Sequence, residues 1–363
     1  MNVYTTDKIR NVVLLGHGGA GKTSLLEAMA YLTGITSRLG SVADGTTLSD
    51  FDKEEQNRKF SINTSMAPII WNDCKINVLD TPGYFDFIGE VEEAVAAADA
   101  AIVVNGKNGV EVGTQKAWEL CEKYHLPRMF YVSNMDFDNA SYRKIVETLT
   151  DLYGKKIAPM YLPIRENEKF VGYVNVVKQR ARRYVDKQNK VECEIPDYLK
   201  DYLANYRDTM LESVAETSEA FMDRYFNGEE FTEAEIVSAL KANVSTCDMV
   251  PVTMGASVNL QGIMILLDDI ISYFPSPKER QIAGVSLKSN EIFQADYDFS
   301  KAKSAFVWKT IVDPFIGKYS MIKVASGSLR PEDMLFDTEN QNEFRAGKLY
   351  VFEGMPLLPE NKE

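Results

Sequence analysis

Short apolar runs alternate with longer segments of helical periodicity through the first part of this chain. The apolar runs fall at residues 11–15, 75–79, 101–104 and 129–132. The segments with helical spacing fall at residues 24–32, 89–98 and 114–124. Because buried strands that alternate with helices form parallel sheets, the pattern predicts an α/β fold with a doubly wound, mostly parallel sheet. Ligands of such sheets bind at the carboxyl ends of the strands.

The pattern changes near residue 157. A strand-like piece at 170–177 precedes charged helical stretches at 197–225 and 232–244. We therefore expect an α+β subdomain, inserted into the sheet domain at about 157–246. The strand pattern resumes immediately after this insertion.

The sheet domain is predicted to end near residue 280. A strand at 249–255 and an amphipathic helix at 263–274 are followed by Pro275-Ser276-Pro277, which is a helix stop and linker signal. We assign residues 1–280 to this domain.

Alternating strands with Gly and Pro turns predict a second, all-β domain at 290–363. We expect an incomplete β-barrel, because the chain stops before enough strands have appeared to close one. An excised fragment and a naturally short paralogue both fit this interpretation. Open strand edges near the C-terminus favour self-association of such a fragment, whereas the full-length form is expected to be monomeric.

Charge and composition exclude several classes of function. A net charge of -13 disfavours a protein that binds DNA or other nucleic acid non-specifically along its whole surface, because a phosphate backbone repels a strongly acidic surface. The basic run at residues 178–183 is either a solvated face or a local RNA contact. With two histidines, His17 and His125, a histidine-dependent triad or a multi-histidine metal site is not expected.

Nothing in the sequence predicts secretion or a membrane span. The chain has no long uncharged apolar segment, and its N-terminus lacks the layout of a signal peptide, so we expect a cytoplasmic protein without a membrane partner. Its four cysteines are widely spaced, which predicts reduced thiols and no zinc site.

Residues 16–23 carry the strongest chemical signal. They read GHGGAGKT, which fits the pattern G-x-x-x-x-G-K-[ST] between a predicted strand and a predicted helix. Such a P-loop wraps backbone N–H groups around phosphates, while its lysine reaches the β- and γ-phosphates and its hydroxyl ligates Mg²⁺. The candidate nucleotide-binding residues here are Gly18, Gly19, Ala20, Gly21, Lys22, Thr23 and Ser24.

A second element, Asp80-Thr81-Pro82-Gly83, follows an apolar strand roughly sixty residues further on. In P-loop enzymes an acid at this place holds Mg²⁺, often through water, and the glycine presents its N–H to the γ-phosphate. We therefore predict Asp80 as a metal ligand and Gly83, with Lys22, as part of the catalytic centre.

Together with the P-loop, four further stretches resemble bacterial elongation factor G. They are residues 80–87 (DTPGYFDF), 109–115 (GVEVGTQ), 273–277 (YFPSP) and 313–318 (DPFIGK). The resemblance covers almost the whole chain, and it implies a ribosome-activated GTPase that binds GTP, GDP and Mg²⁺. It also implies contact with the rRNA of the large subunit, and it matches the inserted subdomain and the start of a second β-barrel domain.

The resemblance implies one altered metal ligand and one altered catalytic residue. Ser61 stands where the family has a threonine in its first switch, and its hydroxyl can still ligate Mg²⁺; an exposed loop serine is the alternative. Tyr84 stands where the family has its catalytic histidine. A phenol can orient a water but cannot become a cation near pH 7, so slow hydrolysis is expected. A merely packed aromatic is the alternative for Tyr84.

The guanine-reading motif Asn-Lys-x-Asp appears here as Ser133-Asn134-Met135-Asp136. By resemblance, Asn134 and Asp136 contact the base, with Asp136 accepting two guanine N–H bonds. The loss of the family's asparagine is expected to remove hydrogen bonds between loops. A helix N-cap is the plainer alternative for Asp136.

The family's second base-binding loop appears as Gly255-Ala256-Ser257, and Ser257 and Val258 are the candidate base contacts there. A backbone N–H in this loop can meet the guanine O6 whatever the side chains are. Three functions stay open: a translational GTPase, a nucleotide-gated ribosome-binding module with little turnover, and a nucleotide binder with relaxed base specificity.

Overall fold

The computed structural model describes residues 4–137, 140–187, 189–280, 282–286, 289–313 and 317–350. Part of the motif predicted at 313–318 and the end of the domain predicted at 290–363 lie outside the described residues.

The described chain contains seventeen strands and nine α-helices. The strands are β1 (Ile9–Gly16), β2 (Ser65–Trp71), β3 (Cys74–Asp80), β4 (Ala100–Asn105), β5 (Arg128–Val132), β6 (Ile157–Pro159), β7 (Tyr161–Glu166), β8 (Lys169–Asn175), β9 (Arg180–Tyr184), β10 (Lys190–Cys193), β11 (Val250–Met254), β12 (Ile282–Val285), β13 (Ile292–Ala295), β14 (Ser304–Asp313), β15 (Gly317–Ser326), β16 (Met334–Asp337) and β17 (Asn342–Arg345). The helices are α1 (Lys22–Leu32), α2 (Lys53–Arg58), α3 (Ile88–Ala97), α4 (Val112–Lys123), α5 (Tyr142–Tyr153), α6 (Asp197–Ala215), α7 (Glu219–Phe226), α8 (Glu233–Ser245) and α9 (Ile263–Tyr273).

The main sheet has seven strands in the order β2-β3-β1-β4-β5-β11-β6. Its pairs are parallel except for β2 with β3. Strands β4 and β5 are buried along their whole length, as continuous apolar strands between two layers of helices should be. The prediction of a doubly wound, mostly parallel sheet is confirmed.

Strand register brings the two predicted motifs together. Leu14 of β1 pairs with Asp80 at the end of β3, so the loop that leaves β1 begins beside the acid. On the other side, Gly16 pairs with Val104 of β4. The carboxyl edge of the sheet therefore carries the phosphate loop and the Asp80 loop next to each other.

The inserted region forms a separate antiparallel sheet in the order β10-β9-β8-β7, with α6 to α8 after it. Strand β6, at 157–159, pairs with β11 and belongs to the main sheet. The single helical stretch predicted at 197–225 is wrong, because it divides into α6 and α7. Ser218 causes the break, since its hydroxyl accepts a hydrogen bond from the N–H of Phe221 at 3.2 Å and caps a new helix.

After the main domain, the described strands form three two-stranded antiparallel sheets, β12–β13, β14–β15 and β16–β17. Two lysines connect the second of these sheets to α3 and its C-terminal end. Lys309 pairs with Glu90, and Lys323 pairs with Asp99 at 2.6 Å.

Within the described part of the chain, no helix is both long enough and apolar enough to cross a membrane. All four cysteines lie outside any disulfide in the structure.

Candidate nucleotide-binding site

The phosphate loop has the backbone that its sequence predicts. Gly21 adopts a left-handed conformation, with φ at 99°, and forms the N-cap of α1. The Lys22 ammonium is buried and donates to the carbonyls of Gly16 and His17, at 2.9 and 3.1 Å. Burial lowers the pKa of Lys22 to about 8, while the nearby carboxylate of Asp80 opposes that shift. Anionic phosphates are the natural partner of a lysine held in this way.

The other predicted phosphate-binding residues lie in the same turn. Gly18, Gly19 and Ala20 precede the cap, and Ser24 lies in the first turn of α1. Gly19 is exposed and left-handed, with φ at 78°, while Ser24 is half-buried. Backbone N–H groups at a helix N-terminus form a site for an anion, so this turn can hold phosphate.

Gly83 lies directly against the phosphate loop. A Cβ atom at this position would lie 2.6 Å from the Cα of Gly18 and 2.7 Å from the ammonium of Lys22. No side chain fits in that space without moving backbone atoms. The glycine therefore lets the chain that follows β3 approach the place where a γ-phosphate would bind.

Oxygen atoms converge beneath the phosphate loop. The hydroxyl of Thr23 donates to Asp80 at 2.8 Å and lies 3.1 Å from the hydroxyl of Ser61. Ser61 in turn donates to Asp50 at 2.7 Å. The structure thus brings together the three residues predicted to serve Mg²⁺, and it adds Asp50, which sequence reasoning missed.

The Asp80 carboxyl has the properties of a cation ligand. Burial raises its pKa to about 7, and the neighbouring Asp50 adds to the rise. Its Oδ1 atom is buried and makes no well-formed hydrogen bond within the described residues, although the Ser49 hydroxyl approaches the carboxylate. Hydroxyl and carboxylate oxygens are the ligands that Mg²⁺ prefers, so these residues fit that ion.

Two further acids, both missed from the sequence, hold the segment that carries Ser61. Glu55 is fully buried and accepts hydrogen bonds from the N–H groups of Ile62 and Asn63, both at 2.9 Å. Glu27 on α1 accepts from the N–H of Gly40 at 3.2 Å. Burial raises the pKa of both carboxyl groups. The signal for Glu55 was present, because Asp52 and Glu55 form a capping box at the start of α2.

Tyr84 lies over the phosphate loop. Its ring packs against Phe60, with the centroids 4.8 Å apart, and 47% of the residue is exposed. A Cβ atom on Gly18 would lie 3.3 Å from the tyrosine Cζ atom. No hydrogen bond of its hydroxyl is found among the described residues. The structure thus shows a packed aromatic whose phenol is accessible to water, which combines features of both interpretations of Tyr84.

Ser133 corrects one expectation about the base-binding loop. Its hydroxyl lies 2.6 Å from the carbonyl of Ala20 in the phosphate loop and 2.7 Å from Oδ1 of Asn134. The expected loss of hydrogen bonds between these loops is therefore wrong, because a buried serine can donate to the same loop. Asn134 has a left-handed backbone, with φ at 58°, which asparagine tolerates better than most residues.

Asp136 is half-buried in this loop, and it does not cap α5. The cap is Ser141, whose hydroxyl accepts from the N–H of Lys144 at 3.4 Å. No hydrogen bond to the Asp136 carboxylate is found among the described residues. The plainer alternative, a helix N-cap, is thus wrong, and the carboxylate stays available for a ligand.

The second base-binding loop follows β11 and contacts the first. The N–H of Met135 donates to the carbonyl of Gly255 at 3.1 Å, which joins the two loops. Ala256 and Gln261 close the second loop by pairing their backbones. Within it, Ser257 is buried and Val258 is 61% exposed.

Comparisons with known proteins agree with this geometry. The sequence profile described as the elongation factor Tu GTP binding domain matches residues 7–276. A crystal structure of a protein from Thermus thermophilus is similar over 97% of this chain, with a TM-score of 0.84 and 34% sequence identity. The chain spans 50% of that protein's length. The profile match covers most of the chain, and therefore this chain belongs to the elongation factor Tu GTP-binding-domain family of translational GTPases.

Proposed function

We propose that this chain binds GTP and GDP with Mg²⁺ and hydrolyses GTP, as part of an elongation factor G-like translation factor that acts on the ribosome. The observation that carries the proposal is the convergence of Thr23, Ser61 and Asp80 beneath the phosphate loop, with a buried carboxylate oxygen that lacks a well-formed hydrogen bond. The residues proposed to contact the phosphates, the metal and the base all lie at one edge of the sheet.

Each site residue has its own proposed role in binding or hydrolysis. Lys22 and the loop N–H groups hold the β- and γ-phosphates, and the Gly83 N–H approaches the γ-phosphate. Thr23, Ser61 and Asp80 hold Mg²⁺ directly or through water; when bound, the ion neutralises charge that develops on the phosphates. Tyr84 places a water for attack but supplies no positive charge, so intrinsic hydrolysis is slow.

Asp136 gives the proposed base specificity. Its carboxylate accepts from N1–H and the 2-amino group of guanine, whereas adenine presents no such pair of donors. Asn134 lies beside the base, and the loop at Ser257 and Val258 offers a backbone N–H to the guanine O6. GTP and GDP are therefore the proposed ligands, and ATP is excluded.

The proposed partner is the ribosome, through rRNA of the large subunit. Membership of a translational GTPase family supports this proposal. A net charge of -13 supports the absence of DNA among the partners, because an acidic surface repels a phosphate backbone that binds along it non-specifically. A local contact with rRNA needs only part of the surface. We also propose a cytoplasmic location and a monomeric full-length protein.

The deciding test is equilibrium binding of fluorescent GTP with Mg²⁺, competed by unlabelled GTP, GDP and ATP. We expect GTP and GDP to compete and ATP to fail. Equal competition by ATP would favour the relaxed-specificity interpretation. An absence of any nucleotide binding would refute the proposal.

A second candidate is a nucleotide-gated module that docks on ribosomes without useful turnover. Tyr84 favours this candidate. Its ring packs on Phe60 while the residue stays 47% exposed, and its phenol lacks the charge of an imidazolium. If this candidate is right, Tyr84→His should strongly raise ribosome-stimulated phosphate release. Substantial stimulated release by the unmodified protein would exclude the module.

A further inference from the structure

Arg165 of the inserted sheet holds the base-binding loop by its backbone. Its guanidinium donates to the carbonyl of Met135 at 3.0 Å and to that of Ala140 at 2.9 Å, with a longer contact to Phe137 at 3.4 Å. It also donates to the carbonyl of Glu168 within its own hairpin. The guanidinium thus forms hydrogen bonds with carbonyl groups of both the insertion and the main domain.

These contacts immediately flank the proposed guanine reader. Met135 and Phe137 are the two chain neighbours of Asp136, so the guanidinium fixes the backbone on both sides of that acid. A guanidinium presents donors in a rigid plane, and its bonds to carbonyls are charge-assisted. Because the bonds go to backbone atoms, they constrain the loop regardless of its side chains.

The insertion itself anchors Arg165 firmly. The hydroxyl of Tyr198 on α6 accepts from the N–H of Arg165 at 3.0 Å and lies 3.2 Å from its carbonyl. At the opposite hairpin of the same sheet, residues 184–187 line a groove of about 300 Å³ together with Asn259 and Gln261 of the second base-binding loop. The inserted sheet therefore contacts the first base-binding loop and shares a groove with the second.

We propose that Arg165 is a positioning residue for guanine recognition, which makes the inserted subdomain part of the specificity apparatus. This inference rests on the proposed function, in which Asp136 reads N1–H and the 2-amino group. A carboxylate forms hydrogen bonds with both donors only when both of its oxygens are held at the edge of the base. Ser133 restrains the first residue of the altered motif through its bond to the phosphate loop. Arg165 restrains the backbone around Asp136, at the other end of the motif.

The test compares GTP with inosine triphosphate, which lacks the 2-amino group and therefore offers Asp136 a single donor. In the whole chain, Arg165→Ala should weaken GTP binding by about tenfold, as expected for lost charge-assisted bonds. It should weaken inosine triphosphate binding by no more than about threefold. The preference for GTP then falls. A purely structural role predicts equal weakening of both ligands, and that result, or unchanged GTP binding, would overturn the inference.

Two further variants keep the test decisive. Arg165→Lys keeps the charge but not the planar fork, and we expect it to lose part of the GTP preference; wild-type preference in this variant would contradict the positioning role. Arg183→Ala is the matched control, because Arg183 belongs to the same sheet and pairs with Glu166 on the surface. It should leave both affinities unchanged. If Arg165→Ala does not fold, the lysine variant alone decides.

Asp136→Ala separates this inference from the proposed function. It should abolish the preference for GTP over inosine triphosphate. If it does and Arg165→Ala leaves the preference intact, the positioning inference alone fails. If Asp136→Ala leaves the preference intact, guanine reading by Asp136 fails.

Discussion

The ion pair between Lys309 and Glu90 offers a quantitative test of how the second β unit is joined to the GTP-binding domain. Glu90 lies on α3, just after the Asp80 loop, and its carboxylate accepts from the N–H of Thr64 at 2.6 Å as well as from Lys309. Thr64 lies three residues after Ser61. The pair therefore connects β14 with the segments that carry two of the three proposed magnesium ligands, Ser61 and Asp80.

The magnitude follows from burial. The Lys309 side chain is 6% exposed and that of Glu90 is 25% exposed. Removing one partner of a fully buried pair costs about 3–5 kcal/mol, because the other charge stays desolvated. Glu90 keeps partial access to water and one N–H donor. We therefore expect Lys309→Met to lower the free energy of unfolding by about 2 kcal/mol.

The assay is a double-mutant cycle by chemical denaturation with Lys309→Met, Glu90→Gln and the combined variant. We expect an interaction energy of about 1–2 kcal/mol, because the second change removes the charge that the first leaves unpaired. Lys301→Met is the control, since Lys301 and Asp296 form an exposed pair, and its loss should cost less than about 1 kcal/mol. Strictly additive effects would show that Lys309 and Glu90 do not interact energetically, and would refute the reasoning.

Three other substitutions give testable outcomes. Thr23→Ala should weaken GTP binding by about tenfold with Mg²⁺ and much less in a chelator, because it removes a metal ligand; an equal loss in both conditions would exclude that role. Ser133→Ala should cost about 1 kcal/mol of unfolding free energy and weaken GTP binding, because the carbonyl of Ala20 loses its partner; unchanged denaturation and affinity would contradict this. Asp269 is buried, accepts from Tyr161 at 2.8 Å and has a pKa raised well above its ordinary value, chiefly by desolvation. Its folded state thus favours the proton, and stability falls by up to about 1.4 kcal/mol per pH unit as the pH rises from about 4 towards the folded-state pKa. Asp269→Asn should remove that loss, so its stability relative to wild type should be higher at pH 8 than at pH 5 in denaturation curves; a constant difference would contradict it.

Local patterns predicted the main sheet and the phosphate loop, because each depends on residues that are close in sequence. The strand before Gly16 and the helix after Gly21 are both visible as periodicity and turn chemistry. The break at Ser218 was missed, since helical spacing continues across it and a single cap outweighs the pattern.

Contacts between distant segments could not be predicted in this way. Asp50 contacts Ser61 although α2 lies between them in the sequence, and no local pattern indicates that approach. Ser133 shows the same limit, since its bond to Ala20 spans more than a hundred residues. Arg165 lies in β7, ahead of the strand-like piece predicted at 170–177, and several of its partners lie in the main domain.

Gly18 and Tyr84 are best understood as one structural unit. The tyrosine ring lies where a Cβ atom on residue 18 would be 3.3 Å from its Cζ atom, so a larger side chain there would displace the ring. The phenol position is thus set by the absence of a side chain in the phosphate loop and by the packing of the ring against Phe60. A histidine introduced at position 84 would have less ring surface to pack on Phe60. A rate change in Tyr84→His therefore combines the effect of a gained positive charge with the effect of lost packing on Phe60. Only the effect of the charge tests whether the uncharged phenol limits hydrolysis in the native protein.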